Sequence, residues 1–261
     1  MNARPKKSFG QHFLHEKRYI ERIVSAISPR ADDFVVEIGP GEGALTLPLL
    51  AAAGKLTAIE LDTDLIPDLK ARAASVGELS IIHSDVLKVD FTALAHRHGV
   101  ERLRVAGNLP YYISSPILFH CVEHAGAIQD MHFMLQKEVV DRMAADPGSK
   151  VYGRLSVMLQ LVCNVVPLFN VPPGAFRPPP KVDSAVVRLV PLAPDQRHDA
   201  DPDRLYAIVK AAFAQRRKTL GNALKHVMDA NAIMAADVDP KARAETLSPH
   251  EYVRLAKVTI D

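Results

Sequence analysis

The chain has 261 residues, 48% hydrophobic and 24% charged, and its 32 Lys+Arg against 30 Asp+Glu leave a formal net charge of +2. That length and composition exclude an intrinsically disordered chain, a disulfide-stapled miniprotein and a collagen-like fibre, and they suffice for one or two domains with full cores. The small net charge excludes a histone-like polycation, but the charge is unevenly spread. Residues 1–22 hold six cations (Arg4, Lys6, Lys7, Lys17, Arg18, Arg22) against Glu16 and Glu21, and residues 204–226 hold six (Arg204, Lys210, Arg216, Arg217, Lys218, Lys225) with no carboxylate. The remainder is acidic. One such cluster can be a solvated helix face; two together lean towards a polyanion partner.

In chain order, Phe34 to Ile38 reads as a strand closed by Gly-Pro-Gly, and Ala44 to Ala53 as a helix stopped at Gly54. Leu56–Leu61 (strand), Leu65–Ala74 (helix), Leu79–His83 (strand) and Leu103–Ala106 (strand) follow, then a helix over Pro116–His124 and a strand over Met131–Leu135. Val165–Val171 and Ala185–Leu192 read as two more strands. Strands alternating with short helices predict βαβ units and a mostly parallel, doubly wound α/β sheet. Pro194, Asp195, Asp199, Asp201 and Pro202 form a polar linker, after which helical periodicity dominates, so the boundary is expected near residue 196, giving an α/β domain over 1–195 and a small helical domain over 196–261. Cys121 and Cys163 lie apart in apolar surroundings and are expected to be buried, reduced thiols. No apolar h-region follows the basic N-terminus, and the longest apolar stretch, Leu155 to Phe169, is broken by Gln160, Asn164 and Pro167, so a soluble cytoplasmic protein is expected.

Glu37-Ile38-Gly39-Pro40-Gly41-Glu42-Gly43-Ala44 falls between a strand and a helix, where glycines allow a tight turn and close approach to a ligand. The string fits a dinucleotide fingerprint and equally the acid-x-G-x-G-x-G loop of S-adenosylmethionine-dependent methyltransferases. Glu60 ends the second strand, where a carboxylate can accept from ribose hydroxyls, and Asp85 follows the third, where it can accept from an adenine amine. A pyrophosphate favours helix-N-terminal donors; a site ringed by Glu37, Glu60 and Asp85 suits a sulfonium cation better.

The fourth strand runs into Asn108-Leu109-Pro110-Tyr111, which resembles the N-P-P-Y motif of methyltransferases acting on exocyclic amines of bases. The Asn108 side-chain oxygen and the Leu109 carbonyl can accept both N6 hydrogens of adenine, aiming the nitrogen lone pair at the methyl carbon. Pro110 stiffens the turn, and Tyr111 offers a ring for stacking, worth about 1–3 kcal/mol per base. In Phe176-Arg177-Pro178-Pro179-Pro180-Lys181, Phe176 is expected to stack on the other face of a flipped-out adenine, with Arg177 and Lys181 beside it. A rival metal reading rests on His120 and His124, spaced i, i+4 with Cys121 and Glu123 nearby, but no third ligand is apparent and no metal is expected.

Taken in order, Lys7-Ser-Phe-Gly-Gln-His-Phe-Leu14, the Glu-Ile-Gly-Pro-Gly loop, Asn-Leu-Pro-Tyr, the Phe-Arg-Pro-Pro-Pro-Lys-Val-Asp-Ser-Ala run and Phe213-Ala-Gln-Arg-Arg-Lys-Thr-Leu resemble the small-subunit (16S) ribosomal RNA adenine N6,N6-dimethyltransferase family. The resemblance implies a Rossmann-like seven-stranded methyltransferase domain with a C-terminal helical domain that binds RNA or the ribosome. It implies transfer of methyl groups from S-adenosylmethionine to N6 of two adjacent adenosines near the 3′ end of 16S rRNA in an immature small subunit, by a monomer that binds no membrane. It carries cofactor contacts to His12, Leu14, Gly39, Glu60, Asp85 and Asn108, His12 standing where some members have Asn; Glu37 and Gly41 join them from the loop. Lys6, Lys7, Arg177, Lys181, Arg216, Arg217 and Lys218 are the expected RNA contacts. The alternatives are a non-catalytic RNA-binding assembly module of the same fold, a large-subunit rRNA adenine methyltransferase and, more distantly, an NAD-dependent oxidoreductase.

Overall fold

The computed structural model describes residues 12–215 and 217–259. Nine strands are described: β1 (Phe13–Leu14), β2 (Val35–Ile38), β3 (Lys55–Glu60), β4 (Glu78–His83), β5 (Leu103–Asn108), β6 (Ile128–Gln136), β7 (Cys163–Val171), β8 (Phe176–Arg177) and β9 (Ser184–Pro191). Seven of them form one sheet in the order β4-β3-β2-β5-β6-β9-β7. The β4, β3, β2, β5 and β6 neighbours pair in parallel, and β9 runs antiparallel to β6. The strands expected from the apolar runs are all present, with ends shifted by a few residues. β2 is buried at every position, as a central parallel strand covered on both faces must be.

The helices of the first part are α1 (Lys17–Ile27), α2 (Thr46–Ala53), α3 (Ile66–Ala73), α4 (Phe91–Arg97), α5 (Ser114–Glu123) and α6 (Lys137–Met143). The chain winds outward from β2 to β3 and β4, then returns to place β5 on the other side of β2. That reversal opens a crevice beyond the carboxyl ends of β2 and β5. In register, Glu37 of β2 lies opposite Ala106 of β5 and Ala58 of β3, and Glu60 lies opposite His83. Every loop that follows these strands therefore emerges on one edge of the sheet. The closeness of β2 and β5 there depends on Gly107, where a Cβ would stand 2.5 Å from the Ile38 carbonyl oxygen.

At the opposite edge, Arg104 near the start of β5 is buried and fully paired. Its guanidinium donates to both Asp130 oxygens (2.9 and 2.8 Å), to Asp33 (2.7 Å) and to the carbonyls of Ile27 and Ser28 (2.7 and 3.3 Å). Those carbonyls end α1, so one side chain caps the helix and ties it to the sheet. The hydrogen bonds it donates to Asp130 raise the Arg104 pKa further, against the opposing effect of burial. A two-stranded ribbon that the apolar runs do not announce pairs β1 with β8, Phe13 opposite Arg177 and Leu14 opposite Phe176.

The described residues through Val140, with Val166–Pro191, form one compact unit; Asp141–Val165 and the residues from Leu192 onward form a second. The boundary expected near residue 196 is thus corrected twice: the second unit begins at Leu192 and also takes a segment from before β7. The reason is packing. Tyr152, Val157 and Leu161 bury against Leu205, Ile208 and Val209 of α8 (Pro202–Ala214). The apolar stretch from Leu155 to Phe169 is accordingly split between α7 (Arg154–Gln160) and β7. α9 (Leu220–Ala223), α10 (Ala230–Ala235) and α11 (Pro249–Lys257) complete the second unit. α8 and α11 start on side-chain caps: Asp201 accepts from the Asp203 amide, and Ser248 and Glu251 form a reciprocal capping box.

Candidate active site

The crevice is a cavity walled by the β2–α2 loop, the ends of β3, β4 and β5, and residues 12–14. Gly39 (φ +65°) and Gly41 (φ +56°) take left-handed backbone conformations that side chains disfavour, and a Cβ on Gly41 would press on the Phe13 ring at 3.1 Å. The loop is held by Glu60, which accepts from the Gly41 amide (3.2 Å) and the Asp62 amide (2.8 Å). Burial raises the Glu60 pKa, and these backbone amides hold it back. Asp85, two residues past β4, accepts from the Leu87 amide at 3.0 Å, which fixes its carboxylate at the rim.

Glu37 is the unusual member. Its side chain is 1% exposed and its Oε2 has no hydrogen-bond partner. Burial pushes its pKa up to about 8, and the neighbouring Glu60 adds to the rise. A buried carboxyl with an unsatisfied oxygen on a cavity wall is costly unless a cation or donor completes it. This is the test that a sulfonium- and ammonium-bearing cofactor meets and a pyrophosphate fails. Leu61 and Val86, which the residue types alone did not single out, add apolar walls beside Glu60 and Asp85. Together these residues fit S-adenosylmethionine.

The Asn108 tetrad leaves the end of β5 into the same cavity. Asn108 Nδ2 donates to the main-chain carbonyl of His12 at 3.0 Å. A carbonyl only accepts, so the amide orientation is set and Oδ1 remains the acceptor. Leu109 is buried, and its amide donates to the Met134 carbonyl (3.1 Å) across the β5–β6 edge. The Tyr111 hydroxyl shares a 2.6 Å hydrogen bond with Ser184 at the start of β9, which holds the ring; burial raises its pKa. Tyr112, next in the turn and 62% exposed, also reaches the cavity; its signal in sequence is only its place after Tyr111.

Phe176 is corrected. It is 2% exposed, packs in the core with Leu14, Ile23 and Val186, and does not line the cavity. In the β1–β8 ribbon it sits opposite Leu14, whose side chain is also buried. Its neighbours Arg177 and Lys181 are exposed, as are Arg217 and Lys218 in the second unit; Lys6, Lys7 and Arg216 lie outside the described residues. His120 Nε2 lies 2.8 Å from the Val89 carbonyl, and His124 Nδ1 2.9 Å from the Thr92 hydroxyl. Cys121 and Cys163 are buried thiols, and burial raises the Cys163 pKa to about 12.

A mostly parallel sheet with its switch point at β2/β5, a glycine loop after β2, a carboxylate at the end of β3, another just past β4 and an Asn-Leu-Pro-Tyr turn after β5 define an S-adenosylmethionine-dependent methyltransferase acting on an amine nitrogen. The family described as ribosomal RNA adenine dimethylase matches the chain over residues 2–261, and the chain belongs to it. It is 62% identical over 257 residues to "Ribosomal RNA small subunit methyltransferase A" of Xanthomonas oryzae pv. oryzae, covering 98% of this chain and 97% of the relative. The protein of the same name from Xanthomonas euvesicatoria pv. vesicatoria is 61% identical, with 99% and 98% covered. Among solved structures, a dimethyladenosine transferase from Plasmodium falciparum superposes with a TM-score of 0.80 at 26% identity, covering 94% of this chain and 96% of that one. The 23S rRNA methyltransferase ErmE superposes at 0.71, also at 26% identity, with 94% and 98% covered.

Proposed function

We propose that this chain dimethylates N6 of two adjacent adenosines near the 3′ end of 16S rRNA within an immature small ribosomal subunit, acting as a cytoplasmic monomer. The observation that carries the reading is the Asn108 amide, turned by the His12 carbonyl so that Oδ1 accepts at the cavity. The small-subunit substrate, rather than the large-subunit one, is favoured by the name borne by relatives about 60% identical over nearly the whole chain.

When bound, S-adenosylmethionine supplies an electrophilic methyl group. Glu37 meets its positive charge, Glu60 takes ribose hydroxyls and Asp85 the adenine amine, while Gly39 and Gly41 let the backbone pass close. Asn108 Oδ1 and the Leu109 carbonyl accept the two N6 hydrogens of the target. That draws the nitrogen lone pair out of the ring and points it at the methyl carbon, an orientation effect rather than base catalysis. The methylated nitrogen is cationic and acidic, so its proton leaves to water without a dedicated base. Tyr111 supports the base by stacking. Arg177, Lys181, Arg217 and Lys218, with Lys6, Lys7 and Arg216, meet phosphates, and the helical unit contributes to holding the RNA.

The test is transfer of labelled methyl from the donor to undermethylated small subunits and, in parallel, to undermethylated large subunits, followed by nucleoside analysis. The expected product is N6,N6-dimethyladenosine in 16S rRNA. Label in large-subunit RNA only, or cofactor binding without transfer, overturns the reading.

A further inference from the structure

Tyr111 and Tyr112 leave one turn in different directions. Both lie in the 3₁₀ turn Tyr111–Ile113 between β5 and α5, where successive side chains stand about 120° apart. Tyr111 is turned to the protein: its hydroxyl is bonded to the buried Ser184, and the His12 imidazole lies against one face of its ring, centroids 5.6 Å apart. Tyr112 is turned to solvent. It lines the same cavity, yet at 62% exposed it is the most open large apolar side chain among the described residues, so its ring stands at the mouth. The proline-rich loop is pinned to this rim at two points: the Pro178 carbonyl lies 2.8 Å from His12 Nδ1, and Ser184 holds Tyr111. Between those points Lys181 and Val182 are exposed. A single exposed aromatic elsewhere would call for no explanation; an open ring at the mouth of the site, with an exposed cation on the same rim, matches what a base and its phosphate require.

We propose that Tyr112 is the platform for the nucleotide next to the target: while one adenine occupies the cavity, the base of the adjacent adenosine stacks on the Tyr112 ring at its mouth. This rests on the reading above that two adjacent adenosines are methylated. Drawing one base out of a stack strips its neighbour of a stacking partner, and that loss is part of the cost of extrusion. Two bases parted in this way no longer lie face to face. Two rings on consecutive residues, their Cα atoms about 3.8 Å apart and their side chains splayed, can meet them one each. A ring face reads no hydrogen-bond pattern, so Tyr112 selects for stacking strength and favours a purine over a pyrimidine beside the target. Adjacent adenosines satisfy that preference whichever of the two is in the cavity.

The experiment compares wild-type protein with Tyr112→Ala and Tyr112→Phe, using labelled donor and undermethylated small subunits that carry both adenosines or have one or the other replaced by uridine. Cofactor affinity is measured separately by calorimetry. Tyr112→Ala is expected to lower kcat/KM for the two-adenosine subunit about tenfold, a typical loss on removing one stacking partner, with cofactor affinity unchanged; Tyr112→Phe is expected to keep most of the activity. Uridine beside the remaining adenosine is expected to slow the wild type several-fold and the Ala variant hardly further, because the contact is already gone. Full turnover by Tyr112→Ala overturns the proposal, as does a wild type indifferent to uridine at both positions. A Phe variant as impaired as Ala also overturns it, placing the effect in the hydroxyl. Losses from Tyr112→Ala and from uridine that simply multiply set the ring against another part of the RNA and overturn it too. A fall in cofactor affinity that matches the fall in kcat/KM assigns Tyr112 to the cofactor instead. A wild-type protein that methylates no adenosine in the unaltered subunit defeats the underlying reading, an outcome separate from the behaviour of the variants.

Discussion

Asn108 at the end of β5 gives its side-chain amide to the main-chain carbonyl of His12, 3.0 Å away and 96 residues earlier in the chain. The bond makes the acceptor geometry of the tetrad depend on the N-terminal ribbon. Asn108→Ala is expected to hold cofactor affinity within a few fold and to abolish transfer, read by calorimetry and by methyl incorporation. Asn108→Asp keeps an acceptor but sets a carboxylate against the His12 carbonyl, and it should fail as completely; near-normal turnover by either variant would remove the polarising role.

Glu37 gives the site a pH signature. Its folded pKa of about 8 lies above the ordinary 4.5, so the empty protein carries a protonated Glu37 over a range in which the unfolded chain is ionised. The stability contribution is fully present below about pH 4.5, declines as pH rises, and is lost through pH 8. A cationic cofactor favours the carboxylate, so its binding near pH 7 should release a proton and tighten as pH rises towards 8. Calorimetry in buffers of different ionisation enthalpy reads this directly. Glu37→Gln should abolish the proton release, weaken the cofactor by at least about thirtyfold and raise the melting temperature of the empty protein above pH 8. With cofactor and RNA saturating, turnover should be nearly flat from about pH 7 to 9, since no base titrates in the step.

Gly107 sets the spacing of the two strands whose loops make the site. A methyl group there meets the Ile38 carbonyl at 2.5 Å, and backbone does not yield as a side chain does. Gly107→Ala should cost about 1–3 kcal/mol of stability and more activity than that loss explains, because Gly39 and Asn108 are displaced together. Denaturant unfolding and kcat/KM on the same preparation separate the two effects.

Arg104 is a purely structural test. Replacing it with Met strands the buried Asp130 and opens the end of α1, at an expected cost of about 3–5 kcal/mol, whereas turnover of the fraction that remains folded should be little changed. A mild effect on stability would mean that water replaces the guanidinium.

The basic segment after α8 is tested by salt. Converting Arg216, Arg217 and Lys218 to Gln should weaken subunit binding and reduce the slope of log affinity against log salt by roughly 0.7–0.9 for each phosphate no longer neutralised. An unchanged slope would return the segment to an ordinary solvated face.

Much of this protein was legible in the order of its residues. Parallel strands joined by helices all end on one edge, so the loop after Ile38, Glu60, Asp85 and Asn108 had to converge once the strands were recognised, and residue type alone said what each could bind. Periodicity could not say which way a side chain in a two-residue strand faces: Phe176 opens a proline-rich motif that suggests an exposed ring, yet opposite Leu14 it faces the core. Nor could it place Val157 and Leu161, whose apolar run is continuous with β7 while their burial is with α8. The amide orientation of Asn108, the unpartnered oxygen of Glu37 and the His12 ring over Tyr111 likewise belong to tertiary structure alone. Local pattern records what a segment can form and which chemistry its residues carry; contacts between distant segments depend on burial and direction, which exist only once the chain has closed on itself.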